Sequence, residues 1–282
     1  MDASYARTLW TAIEPIHVVT YFSPESIAAN KAVGLRGYWM GYFGSRGAPM
    51  GAVAPGVITA TFHGFHPGRV RRAIPDAWAF AAPESILEAR AEGAAMALRR
   101  MTDAAEQVAE RATPQLARVV EAADATGRPL FAANREVAAP ADPVAALWQA
   151  TTSLREHRGD GHVAVLTAEG LDGPQANLLA AAVKGTPAQW LQESRGWSGE
   201  EWDAAKDALV ERGLLDAEGE ATEQGRALRD EIEERTDRLA APPYRVLDDP
   251  AGLYAALKPL AQAVADSGDL PFPNPIGLPR LA

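Results

Sequence analysis

Gly196-Trp197-Ser198-Gly199-Glu200-Glu201-Trp202-Asp203-Ala204-Ala205-Lys206-Asp207-Ala208-Leu209-Val210-Glu211-Arg212-Gly213-Leu214-Leu215 is the stretch whose reading decides the fold. It predicts a tight turn at Gly196, a helix over about 198–212, and a stop at Gly213, the residue best able to end a helix with a left-handed backbone. Leu214 to Ala221, with Gly213 and Gly219, then reads as two short wing strands, and Thr222 as the N-cap of a further helix, with Glu223 near its positive end. The 198–212 helix carries Glu200, Glu201, Asp203, Asp207 and Glu211 against only Lys206 and Arg212. A helix that reads a DNA groove must face phosphates, and counterion release rewards Lys and Arg there, not carboxylates.

Outward from this stretch the chain reads as helix after helix. On the C-terminal side, helices are expected near 162–169, 173–184 and 187–194, then from Thr222 to about Leu239 and over about 250–267, ahead of a tail with Pro271, Pro273, Pro275, Gly277 and Pro279 that packs as an extended strap or is disordered. Arg158-Gly159-Asp160-Gly161 reads as a hinge. N-terminal to it, Ser23-Pro24 and Asp142-Pro143 are helix starts and Gly34 a helix end. A long amphipathic helix is expected from Pro83 to about Arg111, a new one from Thr113-Pro114, and a connector from Pro129 to Ala141. The expectation is an all-α protein: a multi-helical N-terminal region over 1–141, a winged helix-turn-helix-like domain with a small two-stranded wing over 142–249, and a C-terminal helix with a Pro-rich tail over 250–282.

Composition agrees with a helical globular protein. Apolar residues make up 47% and charged residues 23% of 282, ordinary for such a chain, and alanine, the strongest helix former, saturates the periodic segments. The chain has no cysteine, which removes disulfides, thiolate nucleophiles and cysteine-held metal sites. The most apolar run, Gly47 to Phe62, is broken by Pro49 and Pro55 and is too short to span a bilayer. No secretory leader is read at the N-terminus, so a cytoplasmic protein without membrane partners is expected. The net charge of −10 is uneven: residues 196–240 hold fourteen acidic and six basic side chains, whereas residues 1–100 hold seven and ten.

Asp207-Ala208-Leu209-Val210-Glu211-Arg212-Gly213-Leu214-Leu215 followed by Ala221-Thr222-Glu223-Gln224-Gly225-Arg226-Ala227-Leu228 resembles the corresponding run of MarR-type winged helices. Over most of its length the chain also resembles an actinobacterial family of helix-turn-helix-like proteins. That resemblance rests on Glu14 to His17, Tyr21-Phe22, Gly41 to Pro49, Phe62 to Phe65, His157 to His162 and Arg195 to Ser198. Both imply the fold, and neither supplies an activity.

The candidate site lies in polar aromatic residues. Residues 1–72 hold three of five histidines and four of six tyrosines. His17 and Tyr21 share a helix face, and Tyr38, Tyr42 and Arg46 form a second stripe at helical spacing. With His63 and His66 they either line a pocket for a planar or anionic small molecule or simply bridge helices. His157, Asp160 and His162 flank the expected hinge, where Asp160 either orients an imidazole or caps a helix. His63 and His66 have no third ligand nearby, so no metal is assigned, and no cofactor is named by any motif. Walker, dinucleotide and nucleophile-elbow signatures are missing. Three readings follow. The first is a small-molecule binder, catalytic by His, Tyr or Arg if at all, whose acidic module is a scaffold or homodimer interface. The second is a ligand-responsive MarR-like regulator, and the third an acidic protein-interaction module. The charge of the 198–212 helix argues against DNA as a partner.

Overall fold

The computed structural model describes residues 3–274 and 276–278, which are helical throughout apart from turns and one isolated bridge. The helices are α1 (Ala3–Phe22), α2 (Pro24–Ala32), α3 (Gly37–Gly47), α4 (Pro55–Thr61), α5 (Pro67–Arg71), α6 (Asp76–Phe80), α7 (Pro83–Met101), α8 (Ala105–Ala122), α9 (Pro129–Arg135), α10 (Pro143–Ala168), α11 (Gly173–Lys184), α12 (Ala188–Arg195), α13 (Gly199–Glu211), α14 (Glu223–Ala240) and α15 (Pro250–Asp266). Many begin at a proline, whose fixed φ suits a first turn that needs no N–H. Polar caps complete several starts: Ser23, Asp142, Asp172, Ser198, Thr222 and Asp249 each accept a backbone N–H of the first turn.

Three apolar cores organise these helices. The largest joins Leu9, Ile13 and Ile16 of α1 to alanines of α7 and α8, Trp148 of α10 and Leu253, Leu257 and Leu260 of α15. Alanine at Ala94, Ala97, Ala105, Ala109 and Ala112, all buried, lets these axes pack closely. A second core gathers Phe43, Phe62, Phe65, Ile74 and Ile86 under α3 to α7. The third holds α11 to α14 together through Leu179, Leu191, Trp202, Leu209 and Leu215. No helix among the described residues is long and apolar enough to cross a membrane.

The expected two-stranded wing is not formed. Leu215 and Ala221 make a single antiparallel bridge, and no strand exists among the described residues. Backbone bonds from Asp216 N–H to the Glu220 carbonyl at 2.9 Å and from Thr222 N–H to the Leu214 carbonyl at 3.2 Å flank that pair, and with α13 ending at Glu211 and α14 starting at Glu223 the segment is too short to extend it. Asp216 Oδ1 accepts the N–H groups of Gly219 and Glu220 at 2.9 and 2.8 Å, and Thr222 Oγ1 accepts Gly225 N at 3.0 Å to cap α14. One pair of residues remains, too few for a ladder. The fold is all-α without a winged element.

The expected hinge is also corrected. Arg158 to Gly161 lies inside α10, a continuous 26-residue helix. Gly161 serves packing instead of bending: a Cβ there would stand 2.7 Å from the Arg128 guanidinium. Asp160 does cap a helix, though not its own, accepting the N–H groups of Leu130 and Phe131 at 3.0 and 2.9 Å at the start of α9. That helix occupies part of the stretch read as a connector. The break between α7 and α8 falls at Thr102, and Pro114 sits within α8 instead of starting it. The tail runs as a strap as far as it is described, with Leu270 and Leu278 buried on Val18 and Tyr21; Pro275 and Pro279 lie outside the described residues.

The α11–α14 unit docks on the N-terminal helices through close backbone approach. A Cβ on Gly173 would lie 2.5 Å from the His63 carbonyl oxygen and 2.9 Å from the Trp197 ring. Gly173→Ala is therefore expected to lower stability by about 1–3 kcal/mol through overpacking. Gly56→Ala, in α4 with open space around it, should instead raise stability by about 0.4–1 kcal/mol. Denaturant unfolding of both variants checks the pair.

Candidate functional site

A cavity of about 420 Å³ opens where α1, α3 and the α4–α5 turn face α10, α11, α12 and α14. One face of α10 forms its floor, because Arg155, Glu156, Gly159, Asp160, His162, Val163 and Leu166 recur at helical spacing. Its aromatic wall is a connected set of rings. Tyr42 contacts Tyr21 at 4.9 Å, Trp39 at 5.7 Å and Phe65 at 5.4 Å between centroids. Such edge-to-face and tilted contacts fix each ring by its neighbours.

Behind the rings runs a buried chain of charges. Glu156, 1% exposed, accepts both arms of Arg46 at 2.9 and 3.0 Å. It also accepts Arg155 Nη1 at 3.0 Å, and Arg155 Nε donates to Glu14 at 3.1 Å. Glu14 in turn accepts Trp10 Nε1 at 3.0 Å. Arg46 also donates to the Tyr42 hydroxyl at 3.1 Å and lies over the Phe62 ring. Burial alone would raise the Glu156 pKa, but the Arg46 and Arg155 guanidiniums override it and hold the carboxylate well below its ordinary range.

The chain is balanced, yet the cavity is not. Five cationic side chains line it (Arg46, Arg155, Lys184, Arg195 and Arg229) against the two carboxylates Glu156 and Asp160. Arg195 lies 4.4 Å from the Phe65 ring centroid. Arg229 is paired with Glu233, but its Nη1 is buried without a hydrogen-bond partner. Asp160 is pushed up to about 6, by burial first and by the Glu156 charge, against the two backbone N–H groups it accepts.

Of the ten residues picked from sequence, Tyr21, Tyr38, Tyr42, Arg46, His63, Asp160 and His162 line this cavity. His17 sits behind the wall, bonded to the Tyr21 hydroxyl at 2.8 Å and Thr152 Oγ1 at 2.9 Å. His66 and His157 are elsewhere. His66 caps α5 and meets Glu201 at 3.1 Å, while His157 is buried with its ring against Phe131. His63 donates Nε2–H to the Leu171 carbonyl at 2.9 Å, so His63 and His66 serve different partners. Among the described residues no three His, Asp or Glu side chains converge to hold a metal. Sequence reasoning missed Arg155, Glu156, Lys184, Arg195 and Arg229. The only signal for the first two was the helical spacing of Arg155-Glu156 with Gly159-Asp160.

The buried imidazoles make stability pH-dependent. Burial first, then the nearby Arg128, holds His157 down at about 3; burial and Arg229 hold His162 at about 3. Both stay neutral when folded, so the unfolded chain binds more protons below its ordinary histidine pKa. The stability these two groups contribute is therefore full above about pH 6.5 and is lost as the pH drops toward 3. Replacing His157 by Gln should flatten that slope by up to ~1.4 kcal/mol per pH unit over this window, read by urea unfolding at pH 4.5 and 7. A second expectation concerns the charge chain: Glu156→Gln, which leaves Arg46 and Arg155 buried without their shared partner, should cost about 3–5 kcal/mol in the same assay.

Comparison with known proteins places this architecture. No curated protein and no solved structure matches the chain. A family model described as a helix-turn-helix family matches residues 6–271, taking in the N-terminal helices, the cavity and the α11–α14 unit together. The chain belongs to this helix-turn-helix family.

Proposed function

We propose that this protein binds an organic anion with a planar or apolar body in the cavity between its N-terminal helices and the α11–α14 unit. The observation that carries the reading is the pairing of an aromatic wall with a cationic surplus, in a protein whose overall charge is −10. Ligand sites are concave, mostly apolar and oriented by few polar groups. Here Tyr38, Trp39 and Tyr42 supply flat surfaces, Arg195 and Lys184 add positive charge to the lining outside the Glu156 chain, and Arg229, ion-paired to Glu233, keeps a buried N–H at its Nη1 without a partner. A carboxylate, sulfonate or phosphate at that end meets guanidinium donors in low dielectric, where charge-assisted bonds are strong.

Family membership favours a second reading, a ligand-responsive regulator that binds DNA. Against it stands the surface of α13. Glu200, Glu201, Asp203, Asp207 and Glu211 are exposed, and Lys206 turns back to donate to the Ala217 carbonyl at 3.0 Å. The adjoining cation, Arg212 at the C-cap, is exposed but donates to the Glu169 and Gly170 carbonyls, so five exposed carboxylates dominate the helix and phosphate contacts would meet repulsion. The α11–α14 unit then serves as one wall of the ligand cavity, not as a DNA reader.

The test is a calorimetric titration with benzoate, naphthoate and phenyl phosphate, alongside anisotropy with pooled duplex DNA at low salt. At least one anion should bind saturably, with affinity falling about tenfold or more in Lys184→Glu, as expected for reversing one charge at the mouth of an anion site. DNA should not bind. If no anion binds, or if Lys184→Glu binds as wild type does, the reading fails. Saturable, salt-sensitive duplex binding would favour the regulator.

A further inference from the structure

A second cavity, of about 310 Å³, lies between α2 and α3 on the other side of the tyrosine wall. Tyr21, Tyr38 and Tyr42 border both cavities, so one set of rings faces two spaces. The interior of the second is mainly apolar, with Leu35 and Ile27 beside the three rings. Ile27 and Tyr38 are 43% and 39% exposed, large apolar side chains open to solvent where they border this space. Lys31 and Arg36 stand exposed at its rim. Neither forms an ion pair among the described residues; Arg36 instead lies over the Phe80 ring.

Asn30 supplies an independent observation. Its residue is 7% exposed and lines the cavity, yet its Oδ1 is buried without a hydrogen-bond partner. Gly41 crowds it from α3: a Cβ there would stand 3.3 Å from Asn30 Cβ, so the two helices close on the amide. An orphaned buried carbonyl costs about 1–3 kcal/mol, so a donor that enters the cavity and reaches it recovers that cost.

We infer that this cavity is a second small-molecule site, for an amphipathic anion whose apolar body sits against Tyr21, Tyr38 and Leu35. An N–H or O–H of that ligand engages the Asn30 amide, and its negative charge meets Lys31 and Arg36 at the rim. The three features select together. An apolar body alone leaves Asn30 unsatisfied, and an anion without one gains nothing from the rings. The site is separate from the larger cavity and does not depend on what that cavity binds.

The probe is 1-anilinonaphthalene-8-sulfonate, which joins a fused aromatic body, one N–H donor and one sulfonate. Fluorescence titration of the full chain should show saturable binding that survives within about twofold in Lys184→Glu and Ala180→Trp, both on the larger cavity alone. Binding should weaken about tenfold or more in the double variant Lys31→Glu/Arg36→Glu, and also in Ile27→Trp, which fills the mouth. The rim variant alters exposed side chains only, so it stays informative if Ile27→Trp fails to fold. Absence of saturable binding, wild-type affinity in the rim variant, or an equal loss in the variants of the larger cavity would each overturn the assignment.

Discussion

The Glu14–Arg155–Glu156–Arg46 chain is the interaction on which the site depends. It ties α1, α3 and α10 at one place, and all four groups reach their partners across more than a hundred residues or sit beside them on α10. Buried ion pairs seldom add net stability over well-packed apolar side chains, because desolvation offsets attraction. What they do here is geometric. Arg46 holds the Tyr42 hydroxyl, Tyr42 holds Tyr21 and Phe65 by ring contact, and Tyr21 is held in turn by His17. The aromatic wall is rigid because its polar ends are tied down.

A related economy governs the α11–α14 unit. Two side chains that reach toward it act as clamps: Arg69 Nη2 donates to the Glu193 carbonyl at 2.7 Å, and the His66 ring meets Glu201 in the first turn of α13 at 3.1 Å. Glu201 also closes a capping box with Ser198. Carboxylates at a helix start are favoured by the helix dipole, which accounts for Glu200 and Glu201 without any partner. The more distant Asp203, Asp207 and Glu211 have no such local cause, and they leave α13 with an acidic outer face.

Much of the helical plan could be read in the sequence, because helix starts are local. Ser23-Pro24, Asp142-Pro143 and Thr222 mark their helices by short-range hydrogen bonds that need no tertiary context. Three readings failed where tertiary context overrode a local rule. Gly159 and Gly161 looked like a hinge, but α10 is clamped through Asp160 and Arg128, whose guanidinium bonds the His157 carbonyl. Thr113-Pro114 looked like a cap, but α8 passes through it. The wing stops at one bridge because α13 ends at Glu211 and α14 starts at Glu223, and the turn held by Asp216 fills the middle of the short segment between them. For the site, the helical spacing of Tyr38, Tyr42 and Arg46 was legible. Arg155, Glu156, Arg195 and Arg229 were not, since their roles come from partners on other helices and from burial, neither of which spacing encodes.

The claim that the aromatic wall and its cationic surplus form one anion site is tested most directly by anomalous diffraction from crystals soaked in 4-bromobenzoate. The bromine should appear inside the larger cavity, against Tyr42 or Trp39, with the carboxylate toward Arg195, Lys184 or Arg229. A bromine peak only at surface positions, with the cavity holding nothing but water, would contradict the account.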